Sequence, residues 1–140
     1  MILLDTNVVS ELMRGSPDAG VEAWVAAHIL ENLFISAVGE AELRYGVAIM
    51  PAGRRRDRLA SEVDAMVRED FAGRVLPFDS DAARAYADIA AKRRLAGRPF
   101  APADCQIAAI ARARGMAVAT RNVRDFEDTG LDVIDPWKAE

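Results

Sequence analysis

One cysteine, Cys105, and one histidine, His28, are all that this 140-residue chain has of either kind. A lone cysteine excludes an intrachain disulfide, and the pair is too small a set for a zinc site built on His and Cys spacing. That usage fits a reducing compartment, so a cytoplasmic location is expected. No apolar run approaches the ~20 residues that cross a bilayer. No basic segment leading into a long apolar one opens the chain, and no signal peptide is expected. Also missing are a glycine-rich phosphate loop, a linker rich in Pro, Ser and Gly, and a repeat of fixed period. One domain spanning residues 1–140 is therefore expected. The 18 basic against 22 acidic residues leave a net charge of −4, which argues against indiscriminate coating of nucleic acid. Nucleic acid would have to meet a local basic surface.

What is present is a core-forming composition, 51% apolar and rich in alanine, which favours packed helices. Ile2 to Leu4 read as a buried strand, followed by Asp5, Thr6 and Asn7, all good residues for starting a helix. That helix runs through Leu12. Asp18 caps the next, with Val21, Trp24, Val25 and Ile29 on one side. Leu33 to Ile35 form a second strand ending at Ser36, and a helix follows from Ala37 to Met50, limited by Pro51. Leu59, Val63, Met66, Val67 and Phe71 keep helical spacing. Val75 to Phe78 form a third strand, and Asp79 or Ser80 caps a helix carrying Tyr86 and Ile89. Arg98, Pro99 and Pro102 break the chain before a helix from Asp104 to Arg114, ended by Gly115. Met116 to Ala119 and Leu131 to Ile134 read as the last strands. Strands alternating with helices imply an α/β sandwich with a mainly parallel sheet. Ligands bind such sheets beyond the carboxyl ends of the strands.

Several acids fall in such places. Asp5 directly follows a strand, and its ordinary reading is a helix cap. Glu42 is placed on a stripe of Val38, Ala41, Tyr45 and Ile49, where a carboxylate needs a partner. Glu40 points away and reads as a surface residue. Asp104 lies in the first turn of its helix, a position the helix dipole favours without any metal. Only its combination with Asp5 and Glu42 suggests more. Asn122 and Asp125 both follow the strand ending at Thr120. Asn122 is nearer but neutral, and Asp125 is charged but further along. Two like charges 4 Å apart repel by about 4 kcal/mol at an effective dielectric of 20. Gathered acids therefore call for a cation, and hard oxygen ligands suit Mg²⁺ or Mn²⁺. The alternative is that one of them takes a proton.

Thr6, Asn7 and Thr120 are placed to support those carboxylates. His28 and Cys105 read as packed residues. Arg54, Arg55, Arg56 and Arg58 read as a solvated helix start that could also hold a nucleic-acid backbone or a partner. Arg93, Arg94 and Arg98, with Arg121 and Arg124, are better placed for phosphates. Trp24, Tyr45 and Trp137 read as core or dimer residues rather than base-stacking platforms.

The segments LLDTNVVSEL, AELRYGV, PADCQIAAIA and VATRNVRDFE together resemble a PIN-domain ribonuclease, closest to the VapC and FitB-type toxins of toxin–antitoxin pairs. The likeness covers Met1 to Trp137 and rests on the order and spacing of the segments. It implies a three-layer α/β/α sandwich and Mg²⁺- or Mn²⁺-dependent endoribonuclease activity. It further implies a homodimer and a VapB-like antitoxin. It carries the metal site onto Asp5, Asp104 and Glu42, and the last acidic position of many relatives onto Asn122.

Two other readings compete. A dehalogenase-like phosphatase also begins with a strand and an Asp, but needs a second Asp where this chain has Asn7. It also needs a late core lysine, for which Lys92 and Lys138 are poorly placed. A non-enzymatic regulatory or nucleic-acid-binding α/β domain of receiver type would use Asp79 as its acceptor, yet no lysine ends the late strand.

Overall fold

Among the described residues, 1–138 of the computed structural model, five short strands form one sheet. They are β1 (Ile2–Leu4), β2 (Leu33–Ser36), β3 (Val75–Leu76), β4 (Ala117–Ala119) and β5 (Val133–Ile134). The spatial order is β3-β2-β1-β4-β5, and every pairing is parallel. The helices are α1 (Thr6–Leu12), α2 (Ala19–Ala26), α3 (Ala37–Ala48), α4 (Arg54–Ala65), α5 (Ser80–Leu95) and α6 (Pro102–Ala113).

The strand residues alternate between two cores, one on each side of the sheet. Leu3 and Val118 pack with Ile89 of α5 and Ile107 and Ile110 of α6. Leu4, Ala119, Leu33 and Ile35 pack with Val8 and Val9 of α1, Val21 of α2, and Met66 and Phe71. Two apolar layers around one sheet make the three-layer α/β/α sandwich that the resemblance implied, with the parallel sheet expected from the strand–helix alternation.

The strand order reverses direction at β1. From β1 the chain steps outward to β2 and β3, then crosses back to β4 and β5 on the other side. A crevice opens beyond the carboxyl ends of β1 and β4, the switch point at which parallel sheets bind ligands. Register fixes its floor. Leu4 pairs with Ala119, so Asp5 and Thr120 leave their strands side by side.

Several boundaries differ from the sequence reading. Pro102 does not break the chain before α6. It stands in the first turn, where a missing N–H costs nothing. α4 passes into a wider π-helical turn, Met66–Asp70, which brings Met66 and Phe71 into the core. β3 and β5 are each two residues long, shorter than their apolar runs. The Tyr45 and Ile49 stripe is not a packing face, since these side chains are 67% and 65% exposed. Ile29, placed with Val21 and Trp24, is also exposed. Of that stripe only Val38 packs against a core, and on α3 it is joined by Leu43 and the buried Gly39.

Candidate metal centre and nuclease site

Asp5 is buried at the end of β1. Ordinary caps here bond the N–H three residues ahead: Asp18 accepts from Val21, Ser36 from Gly39 and Asp79 from Ala82. Asp5 instead accepts from the adjacent Thr6 N–H at 2.8 Å. Its other oxygen accepts from the Thr120 hydroxyl at 2.8 Å and the Asn7 amide at 3.3 Å. Thr120 in turn accepts from the Asn7 amide and the Asn122 N–H. These bonds fix the carboxylate's orientation and leave lone pairs free for a ligand.

Glu42 reaches the same place from α3 for a reason other than its assumed stripe. Gly39, one turn earlier on that helix face, is buried against α1. A Cβ there would lie 3.2 Å from the Thr6 hydroxyl oxygen and 3.3 Å from that of Ser36. The bare backbone lets α3 approach α1 closely, and the Thr6 hydroxyl donates to Glu42 at 2.7 Å. Glu40 points elsewhere and pairs with Arg44.

Asp104 projects from the first turn of α6 and is half-buried. Burial first, then the charges of Asp5, Asp125 and Glu42, push its carboxyl up to about 6. No hydrogen bond offsets that rise. Asp5 is also raised, chiefly by burial and further by Glu42 and Asp125, against the lowering bonds from Thr120 and Thr6. The charges of acids from three other parts of the chain thus meet at Asp104.

A cleft of about 450 Å³ joins Asp5, Thr6, Asn7, Glu42, Asp104 and Asn122. Asn122 lines the cleft, while Asp125, exposed on the short turn Val123–Phe126, is outside the lining and acts on Asp104 through its charge. Glu11 and Trp137 also line it, and sequence reasoning missed both in that role. Glu11 had a signal: it lies one helical turn beyond Asn7 on the same face of α1. It is buried, accepts from the Asp18 N–H and pairs with Arg14 at 3.2 Å. Trp137 had none, because only the folded chain end brings it back to the cleft. Its ring lies 5.1 Å below the Arg121 guanidinium, and the Arg121 N–H donates to Asn7.

The arginines expected to hold phosphates divide. Arg121 lines the cleft. Arg93 does not: it is 5% exposed, and its guanidinium donates to the carbonyls of Arg98, Asp125 and Glu127. A cation buried this deeply, with its Nε and one Nη given to carbonyls, has little to offer a phosphate in solvent. Arg98 is paired with Glu127 and Asp128 on the same loop, and Arg94 is exposed on α5. The arginines beside the site are Arg14, Arg55 and Arg58. They line a groove of about 730 Å³ that shares Thr6, Ser10, Glu42 and Arg14 itself with the cleft.

Among the described residues, no three acidic, histidine or cysteine side chains are closed on a common point as a finished metal shell. They are gathered but held apart, Asp5 by Thr120 and Glu42 by Thr6. Carboxylate oxygens gathered from several parts of the chain nonetheless fit a hard divalent cation. Asp79 lies elsewhere: it follows the edge strand β3 and caps α5, which removes the receiver reading.

A PIN-domain family profile matches residues 2–131. This chain belongs to the PIN-domain family. Similar proteins extend over nearly the whole of it. A VapC ribonuclease, Y4jK of Sinorhizobium fredii, is 50% identical over 138 residues, covering 99% of both chains. The toxin FitB of Neisseria gonorrhoeae is 42% identical over 137 residues, covering 98% of this chain and 99% of its own. The solved structure of FitAB bound to an IR36 DNA fragment contains a chain that matches this PIN domain with a TM-score of 0.93 at 41% identity. The match covers 100% of this chain and 98% of that one. The cleft of this PIN domain lies at the switch point of its sheet, between β1 and β4.

Proposed function

We propose that this PIN domain is a Mg²⁺- or Mn²⁺-dependent endoribonuclease acting as the toxin of a toxin–antitoxin pair. The observation that carries the reading is the convergence of Asp5, Glu42 and Asp104 on one cleft, where the charges of Asp5, Asp125 and Glu42 add to burial in raising the Asp104 carboxyl. Its likeness to a VapC ribonuclease and to the toxin FitB supports the choice of RNA and of a toxin's role.

Asp5, Glu42 and Asp104 would hold the cation, and Asn122 would offer a carbonyl oxygen or fix a water. A divalent cation held there supplies positive charge to the scissile phosphate and makes water a stronger acid. Thr120 and Asn7 keep Asp5 in its orientation, and Thr6 does the same for Glu42. Such outer partners raise ligand fitness without touching the ion. Asp125, three residues after Asn122, adds negative charge to the same site. Arg121 holds a phosphate at one side of the cleft, and Arg14, Arg55 and Arg58 lie along the groove on the other.

The partner is a VapB-like antitoxin, by analogy with the FitAB complex. The working unit is a homodimer, for which the exposed Tyr45 and Ile49, one turn apart on α3, offer an apolar contact. Among the described residues no helix is long and apolar enough to cross a membrane, in keeping with a cytoplasmic toxin. The test is to map RNA 5′ ends after expression of wild type beside Asp5→Asn, and to repeat cleavage in vitro with Mg²⁺ and with EDTA. New ends and growth arrest are expected for wild type alone. Full cleavage by purified Asp5→Asn would refute the assignment.

A further inference from the structure

Arg93 is a buried cation that the proposed chemistry does not use. Burying a guanidinium is costly unless hydrogen bonds offset the loss of water. Here its Nε donates to the Arg98 carbonyl at 2.9 Å, and one Nη donates to both the Asp125 and Glu127 carbonyls at 2.9 Å. Its flat face lies 4.3 Å from the Phe100 ring centre, and Phe100 meets Phe126 edge-on at 5.6 Å. The side chain of one α5 residue thus joins two segments of different function. Arg98 to Phe100 lead into α6, which carries Asp104. Asp125 to Glu127 form the turn that carries the fourth acid. Outside this knot, Arg98 clamps Glu127 and Asp128, and the Thr129 hydroxyl closes the turn on the Phe126 carbonyl.

We infer that Arg93 is a positioning residue, a buckle that sets where the turn bearing Asn122 and Asp125 stands relative to Asp104. The forked guanidinium is the feature that matters, because one planar group bonds carbonyls from both segments at once. A lysine would keep the charge and lose the fork. The inference rests on the cation-binding reading given above and adds a residue that touches neither ion nor RNA.

The test compares the full-length wild type with Arg93→Lys. Mn²⁺ binding is followed by calorimetry, RNA cleavage by kcat and KM, and loop order by amide exchange over residues 122–129. Ile89→Val, one turn earlier on the same buried face of α5, is the control for a merely weakened core. Arg93→Lys is expected to weaken Mn²⁺ binding about tenfold, the usual scale for outer-shell changes. It should also lower kcat, speed exchange in the loop and leave the KM for RNA unchanged. Ile89→Val should leave Mn²⁺ binding as it is. Should Arg93→Lys fail to fold, Phe100→Leu, which loosens the same stack, should show the same pattern at smaller size. Unchanged Mn²⁺ binding, or an equal loss in Ile89→Val, overturns the inference. A raised KM with intact Mn²⁺ binding also overturns it and makes Arg93 an RNA contact. Absence of Mn²⁺ binding in wild type and variant alike removes the nuclease reading. The buckle is then judged on exchange alone, with faster exchange supporting it and unchanged exchange refuting it.

Discussion

Asp104→Asn should make the metal-free protein more stable while removing its activity. The carboxyl of Asp104 stands at about 6 in the folded chain against an ordinary 3.8. Between those values the folded chain holds a proton that the unfolded chain has released. Stability therefore falls as pH rises through the window from about 4 to about 6, and the loss is complete above it. The rise corresponds to roughly 3 kcal/mol at about 1.4 kcal/mol per tenfold change in acidity. The side chain is only half-buried, and solvent screening reduces the figure to about 1–2 kcal/mol. Asparagine has nearly the shape of the neutral acid and carries no charge for Asp5, Asp125 and Glu42 to repel. In EDTA at pH 8 the variant should melt roughly 3–8 °C above wild type. The gap should close as the pH is lowered to 4. Mg²⁺ should raise the melting point of wild type at pH 8 and do little for the variant, since only a bound ligand stabilises the folded state. A gap that is the same at pH 4 and pH 8, or a variant less stable at pH 8, would refute the reasoning.

Other substitutions probe the supports. Thr120→Val removes the hydroxyl that donates to Asp5 and accepts from Asn7 and Asn122; a loss of about 1–3 kcal/mol is expected in urea unfolding. Gly39→Ala places a Cβ 3.2 Å from the Thr6 hydroxyl oxygen. Cleavage should fall about tenfold as Glu42 loses its support, while Ala's better helix propensity, worth up to about 1 kcal/mol, keeps the fold stable. Asp125→Asn should weaken Mn²⁺ binding, and Asn122→Asp added to it should restore binding. Unchanged binding in the first, or no rescue in the second, would remove Asp125 from the site.

Much of this was legible in the sequence because it is local. Ile2 to Leu4 followed by Asp5, and Met116 to Ala119 followed by Thr120, announce strand ends that a parallel sheet must bring to one side. Asp104 in a first helical turn, and Cys105 and His28 as packed residues, follow from spacing alone. Cys105 is fully buried, and His28 bonds the Trp24 carbonyl at 2.7 Å. Glu42 was chosen on a stripe whose Tyr45 and Ile49 prove exposed. Its position depends on Gly39 admitting α1, a contact between segments 36 residues apart in the Thr6–Glu42 bond. Arg93 shows the limit in the other direction. Its sequence neighbours Arg94 and Arg98 suggested a basic surface, but helical phase turns Arg93 inward to Ile89's side. Trp137 needed the whole chain to be in place before its ring could meet Arg121.

The central claim is that Asp5, Glu42 and Asp104 together hold one hard cation. The most direct measurement is anomalous diffraction from a crystal soaked in Mn²⁺. A peak within bonding distance of Asp5 and Asp104, with Glu42 turned toward it, is the expected result, and it should vanish in Asp5→Asn. A peak bound away from these carboxylates, or none at saturating Mn²⁺, would contradict the account.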